Sequence, residues 1–136
     1  EAIPQLVAEL KEFDISVGSR YVNGGKDLRP AVRKITSRMI NLAANLILNF
    51  KVRDWTSGFV AARKNVFAAV PLKNSDYGEY CIDFLYNAGK HFRIKEVPYL
   101  FVDRLEGESK TAAKLSSLLR FGMVYGKKIL ALRFGR

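Results

Sequence analysis

The sequence predicts an α/β domain. Two observations carry this: short apolar-alternating runs suited to strands lie between longer runs with helical periodicity, and the polar, glycine-containing segments fall where strands give way to loops.

The elements follow in order. Ile3, Leu6, Val7, Leu10 and Phe13 are spaced for a helix over 3–13, with Pro4 in the first turn, where a missing N–H is tolerated. Ile15 and Val17 alternate toward Gly18, predicting a strand over 14–20 that runs into a loop. Asn23-Gly24-Gly25 is a turn signature. Pro30 opens a long helix reaching Asn49, with Val32, Ile35, Met39, Ile40, Leu42, Ala43, Leu46 and Ile47 as one broad apolar stripe. A short strand is expected over 58–62 and a short helix over 66–70. A helix over 79–89 is expected to stop at Gly89. Phe92, Ile94 and Val97 suggest a strand over 92–101, in which Pro98 marks an edge or an end. A second long helix is expected over 112–134. The division this gives is a globular part, 1–111, and a basic amphipathic helical segment, 112–136.

The chain has 136 residues, 49% of them hydrophobic, enough for one modest core. No apolar run approaches the ~18 residues of a spanning helix. The single cysteine, Cys81, cannot form an internal disulfide and is expected to be a small buried hydrophobe. His91, the only histidine, rules out a multi-histidine metal centre and is expected to be structural. The chain starts at Glu1 inside a helix start, so it is expected to be a piece of a longer protein.

The formal net charge is +10 and points to anionic partners. It is uneven: beyond Glu108 there is no acidic residue but seven basic ones, Lys110, Lys114, Arg120, Lys127, Lys128, Arg133 and Arg136. A basic helix interleaved with Leu115, Leu118, Leu119, Val124, Ile129, Leu130 and Leu132 suits an anionic membrane surface. The alternative is a helix packed on its own core with its basic side in water. Nucleic acid is not expected as a partner, since no recognised motif or stacking-aromatic pattern is present.

Three polar clusters carry phosphate-binding groups. In Gly18-Ser19-Arg20-Tyr21, a strand end presents a planar guanidinium fork; an ordinary surface arginine is an equal reading. In Arg33-Lys34-Ile35-Thr36-Ser37, Arg33 and Ser37 share a face at a helix N-terminus, which favours anions; a solvated helix start is the plainer alternative. Arg104-Leu105-Glu106-Gly107-Glu108-Ser109-Lys110 is a loop carrying a hydroxyl and two cations, or a surface loop and nothing more. Between the last two, Asp54 leads Asp54-Trp55-Thr56-Ser57-Gly58-Phe59, where it could orient a substrate hydroxyl or cap the backbone.

In this order the clusters resemble the polyprenyl-phosphate glycosyltransferases of glycosyltransferase family 2, the dolichol-phosphate mannose synthases above all. Glu1-Ala2-Ile3-Pro4 resembles the residues just after that family's acidic metal motif. DISVGSRYVNGG (14–25) matches its GSRY-x-x-GG segment, Arg33 to Ser37 its R-x-x-x-S helix start, and Asp54 to Phe59 its D-x-T-S-G-F. Glu96-Val97-Pro98 and FVDRLEGESK (101–110) match its EVP and F-x-x-R-x-x-GESK signatures. The likeness covers nearly the whole chain.

The resemblance implies the C-terminal part of a GT-A, Rossmann-like catalytic domain with amphipathic helices at the membrane interface. It implies transfer of mannose from GDP-mannose to dolichyl or another polyprenyl phosphate, with inversion, at the cytoplasmic face of a membrane. Arg20, Arg33 and Ser37 would hold the acceptor phosphate; Ser19, Arg104, Ser109 and Lys110 would serve donor or acceptor phosphates. Asp54 would contact the donor sugar as the catalytic candidate. A divalent metal, Mg or Mn, would take its ligands upstream of this chain, which by itself is expected to be catalytically incomplete. The competing readings are a related family 2 enzyme using UDP-glucose or another sugar nucleotide, and a non-catalytic basic module binding membrane or nucleic acid.

Overall fold

The computed structural model of the chain describes residues 2–48, 52–75, 77–102 and 115–135. Among the described residues five helices and five strands follow one another: α1 (Ala2–Glu9), β1 (Ile15–Ser19), β2 (Lys26–Asp27), α2 (Ala31–Leu48), β3 (Val60–Ala62), α3 (Lys64–Ala69), α4 (Tyr80–Ala88), β4 (Ile94–Pro98), β5 (Leu100–Phe101) and α5 (Leu115–Phe134).

β1 is the centre of the larger sheet, whose order is β3-β1-β4. It runs antiparallel to β3, with Ser16 opposite Ala61, and parallel to β4, with Val17 opposite Glu96. All five residues of β1 are buried. That explains its Ile-Ser-Val-Gly-Ser composition: Ile15 and Val17 enter the core, and Ser16, on the other face, donates to Leu6 O of α1. β2 and β5 form a second, two-stranded parallel ribbon.

The 92–101 strand is two strands. Tyr99 is the crossing point: its N–H donates to Ser19 O at the end of β1, while its carbonyl accepts from Lys26 N of β2. Pro98, opposite Ser19, is the last residue of β4. The first helix is shorter than its periodicity suggests. Beyond Glu9 the N–H groups of Leu10, Lys11 and Glu12 bond three residues back, a tightened last turn. Arg63 closes this end by donating to the carbonyls of Leu10 and Lys11. Gly89 does stand at the end of α4 but is right-handed, φ −67°, so its conformational freedom is not what stops the helix. Gly24, at φ +89°, does need that freedom, in the turn between β1 and β2.

The core brings Ile15 and Val17 of β1, Ile40, Ala44 and Leu48 of α2, and Ile82 and Leu85 of α4 onto Trp55, Tyr125 and Ile129. Cys81 is buried here, as its type suggests, and burial pushes its thiol up to about 11. α2 packs on α5. The broad α2 stripe thus divides: Ile40, Ala44 and Leu48 enter the core and Ala43 and Ile47 pack against its edge, while Val32, Ile35, Met39, Leu42 and Leu46 face outward. On α5, Tyr125 and Ile129 are buried, and Leu119, Met123, Leu130 and Phe134 form an exposed line on one face. Among the described residues no helix is long and apolar enough to cross a membrane.

Candidate functional site

The site begins where β1 ends. Arg20 follows Ser19 directly, and the chain must turn there to reach β2. Gly25 makes the turn possible: a Cβ at this position would collide with Ser19 O and the Arg20 backbone. Arg20 is 5% exposed, and its side chain is held from several directions. Nε donates to Asp54 Oδ2 at 2.8 Å and Nη2 to Asp54 Oδ1 at 2.6 Å, a two-pronged carboxylate contact. The Arg20 backbone N–H adds a third bond to Oδ2 at 3.0 Å. Nη2 also reaches Thr56 Oγ1 at 2.6 Å, and Nη1 lies 3.6 Å from Asp27 Oδ2. Burial works against the charge of Arg20, but the bonds and field of Asp54 prevail and hold its pKa above the usual arginine value.

Asp54 is itself fully buried and sits on a loop fixed from behind. Both carboxylate oxygens of Glu96 on β4 accept backbone N–H groups of that loop, Arg53 and Asp54, at 2.9 Å each. Ser57 donates to Gly18 O, tying the loop's other end to β1. The two segments matched separately in the sequence, GSRY and D-x-T-S-G-F, therefore form one unit, with the glutamate of EVP as its brace.

α2 supplies the facing wall. Its first residue follows Pro30, and Arg33 and Ser37 do share a face one turn apart. Ser37 Oγ lies 3.1 Å from Thr56 Oγ1. One turn on, Asn41 bridges helix and loop: its Oδ1 accepts Trp55 N–H, and its Nδ2 donates to Ser37 O and to Thr56 Oγ1. Asp27 of β2 receives the side chain and backbone of Arg29. Burial would raise the Asp27 pKa, but the Arg29 hydrogen bonds outweigh it and hold the carboxyl below its usual value. The Phe101 ring lies between the two arginines, 5.3 Å from the Arg20 guanidinium carbon and 4.8 Å from that of Arg29.

Together these residues enclose a cleft of about 300 Å³. Part of its lining is cationic and hydroxylic: Arg20, Arg29, Arg33, Thr36, Ser37 and Thr56. The rest is largely apolar and comes mainly from α5, with Leu118, Phe121 and Tyr125, joined by Tyr77. Tyr125 is anchored by donating to Tyr77 O at 2.9 Å, and burial pushes its phenol pKa far up, so it stays neutral. Guanidinium and hydroxyl groups beside apolar side chains are the kind of lining that can receive an anion joined to an apolar group.

Of the residues singled out in the sequence, Arg20, Arg33 and Ser37 meet at this cleft. Asp54 lies behind it with both oxygens on Arg20. Ser19 is fully buried, accepts Tyr21 N–H, and does not line the cleft. Arg104, Ser109 and Lys110 lie outside the described residues. Sequence reasoning missed Arg29, Thr36, Thr56, Asn41 and the α5 wall. Thr56 stood inside a matched segment, and Arg29 stands immediately before the proline that opens α2. Nothing local marks Phe121 or Tyr125. Among the described residues no group of three or more His, Cys, Asp or Glu side chains is gathered to hold a metal.

The segments that resemble the polyprenyl-phosphate glycosyltransferases thus converge on one cleft, and comparison with known proteins bears on that resemblance. The chain is 38% identical over 119 residues to a dolichol-phosphate mannosyltransferase of Pyrococcus furiosus, covering 84% of this chain and 33% of that protein. It is 34% identical over 115 residues to an undecaprenyl-phosphate mannosyltransferase of Micrococcus luteus, covering 81% of this chain and 47% of the relative. A polyprenol monophosphomannose synthase of Mycolicibacterium smegmatis is 35% identical over 101 residues, 71% of this chain and 38% of the relative. No protein-family model matches. The chain belongs to the polyprenyl-phosphate mannose synthase family. It spans between a third and a half of the length of these curated relatives.

Proposed function

We propose that this chain forms the acceptor-binding part of an enzyme that moves mannose from GDP-mannose to dolichyl or another polyprenyl phosphate at a membrane surface. One observation carries the reading: three arginines and the apolar residues Leu118 and Phe121 of α5 line the same cleft, a combination that suits a phosphate joined to a hydrocarbon chain. The names of the relatives, all polyprenyl-phosphate mannosyl enzymes, agree with that acceptor and that sugar.

The chemistry follows from the charges. A phosphate monoester oxygen attacks the anomeric carbon, a carbon–oxygen bond forms there, and the bond to the nucleotide diphosphate breaks. The nucleophile is already an anion, so no strong base is required. The protein's part is to hold the phosphate in line and offset its charge against that of the leaving diphosphate. Arg33, Arg29 and Ser37 would contact the acceptor phosphate. Arg20, fixed by Asp54, would supply a preset charge at the back of the cleft, making Asp54 the residue that positions Arg20. A divalent metal would neutralise the donor's diphosphate. Asp27 and Asp54 are engaged by arginines and do not fit that task, so its ligands would come from other residues.

The membrane surface enters through the outward faces of α2 and α5. Val32, Ile35, Met39, Leu42 and Leu46 recur at spacings of three and four, and Leu119, Met123, Leu130 and Phe134 form a like row on the helix packed beside them. Side chains of this size left outward on two adjacent helices, beside the basic residues of α5, suit an interface of lipid headgroups and acyl chains.

The test is mannosyl transfer from labelled GDP-mannose to a polyprenyl phosphate. A full-length polypeptide carrying this segment should transfer with a divalent metal, and the 136-residue chain alone should not. Absence of transfer by the full-length polypeptide, or transfer by the isolated chain, would contradict the proposal.

A further inference from the structure

We infer that Thr56 is a positioning residue that forces the hydroxyl of Ser37 to donate into the cleft, so that an incoming phosphate meets a preset donor. The argument rests on hydrogen-bond direction. Trp55 N–H can only donate, and it points at Asn41 Oδ1 at 2.6 Å. This fixes the amide, so Asn41 Nδ2 faces Thr56 Oγ1 at 3.0 Å and must donate to it. Arg20 Nη2, at 2.6 Å from the same oxygen, can also only donate. A hydroxyl has two lone pairs, and both are now taken.

Ser37 Oγ, 3.1 Å away, therefore has no lone pair on Thr56 to donate to. Thr56 keeps one proton, which can go to Ser37 Oγ or to Asp54 Oδ1 at 3.4 Å. In either case the Ser37 proton is turned elsewhere. Thr36, its neighbour, donates to Val32 O one turn back. Ser37 shows no such bond among the described residues and lines the cleft. The free direction for its O–H is the cleft, where the ligand is an anion that only accepts. Without Thr56 the serine hydroxyl could rotate to its own helix carbonyl, the usual resting place for a helical serine.

The inference rests on the acceptor-phosphate reading above, and the experiment separates the two. Binding of a short-chain prenyl monophosphate to the full-length polypeptide is measured by calorimetry for Ser37→Ala, Thr56→Val, Thr56→Ser and the double variant Thr56→Val/Ser37→Ala. Donor KM and thermal midpoints are read alongside. Ser37→Ala and Thr56→Val should each weaken phosphate binding about tenfold, and Thr56→Ser should stay within about twofold of the wild type. The double variant should be no weaker than Ser37→Ala by more than about twofold, because both changes remove the same donor. Donor KM should be unchanged. If Thr56→Val unfolds the protein, Thr56→Ala takes its place in the same cycle. Wild-type affinity in the folded Thr56 variant, or losses that multiply to about a hundredfold in the double variant, would overturn the inference while leaving the acceptor site standing. Wild-type affinity in Ser37→Ala would overturn both.

Discussion

The two long sides of α2 are built on opposite principles. The inner side holds Ser37 and Asn41 among the buried residues and joins a polar lattice running through Thr56, Asp54 and Arg20 to Glu96. The outer side is a row of large apolar residues between half and three-quarters exposed. In a free-standing soluble domain the assignment would run the other way. Buried ions cost several kcal/mol to desolvate and are retained where geometry or function needs them, and a contiguous exposed apolar row marks a surface meant to be covered. The difference teaches that α2 is a partition, with a fixed polar lattice behind it and an apolar surface in front.

The largest effect should come from removing the centre of the inner lattice. Asp54→Ala leaves the Arg20 guanidinium buried without its carboxylate, which should cost about 3–5 kcal/mol of stability by chemical denaturation and abolish transfer. A variant of wild-type stability would mean that the lattice is looser than these distances indicate.

A charge on the outer side should do the reverse. Leu42, 60% exposed, can become Glu with unfolding stability kept within about 0.5 kcal/mol, while co-sedimentation with anionic vesicles falls several-fold. Binding of the unaltered chain should also weaken as salt is raised, because the basic residues of α5 contribute. Equal binding to neutral and anionic vesicles, insensitive to salt, would remove the electrostatic part of the comparison.

A smaller effect is expected in acid. Asp27 has a folded-state pKa below its ordinary value, so its stabilising contribution is present above about pH 4 and is lost as the pH falls through the lowered pKa. Asp27→Asn should therefore show a flatter fall in thermal midpoint between about pH 4 and pH 2 than the wild type. Parallel curves would show that Asp27 titrates alike in the folded and unfolded chain.

Much of this partition was legible in the sequence, for identifiable reasons. The 3.6-residue period placed α2 to within a residue of its ends, because Pro30 and a long apolar run leave little choice. Arg33 and Ser37 were legible as a pair because helical spacing alone puts them on one face. The period could not tell which part of a broad apolar stripe is inner, since that depends on where α5 packs. The meeting of Arg20 with Asp54, 34 residues apart, was also illegible locally. It follows from β1 and the loop before β3 lying side by side, and the matched segments named both residues without showing that they bind each other. The strand over 92–101 was misread as continuous because alternation continues through Tyr99 while the pairing partner changes from β1 to β2.

The central claim is that the cleft holds the acceptor's phosphate, and steady-state kinetics of Arg33→Lys and Ser37→Ala in the full-length polypeptide test it most directly, with acceptor and donor varied separately. An ammonium cannot reproduce the planar contact of a guanidinium, and losing a charge-assisted contact should cost about 2–4 kcal/mol, or roughly 30- to 1,000-fold in rate. The account predicts that loss in kcat/KM for polyprenyl phosphate with the KM for GDP-mannose little changed. Near-normal rates in both variants, or a loss confined to the donor, would contradict it.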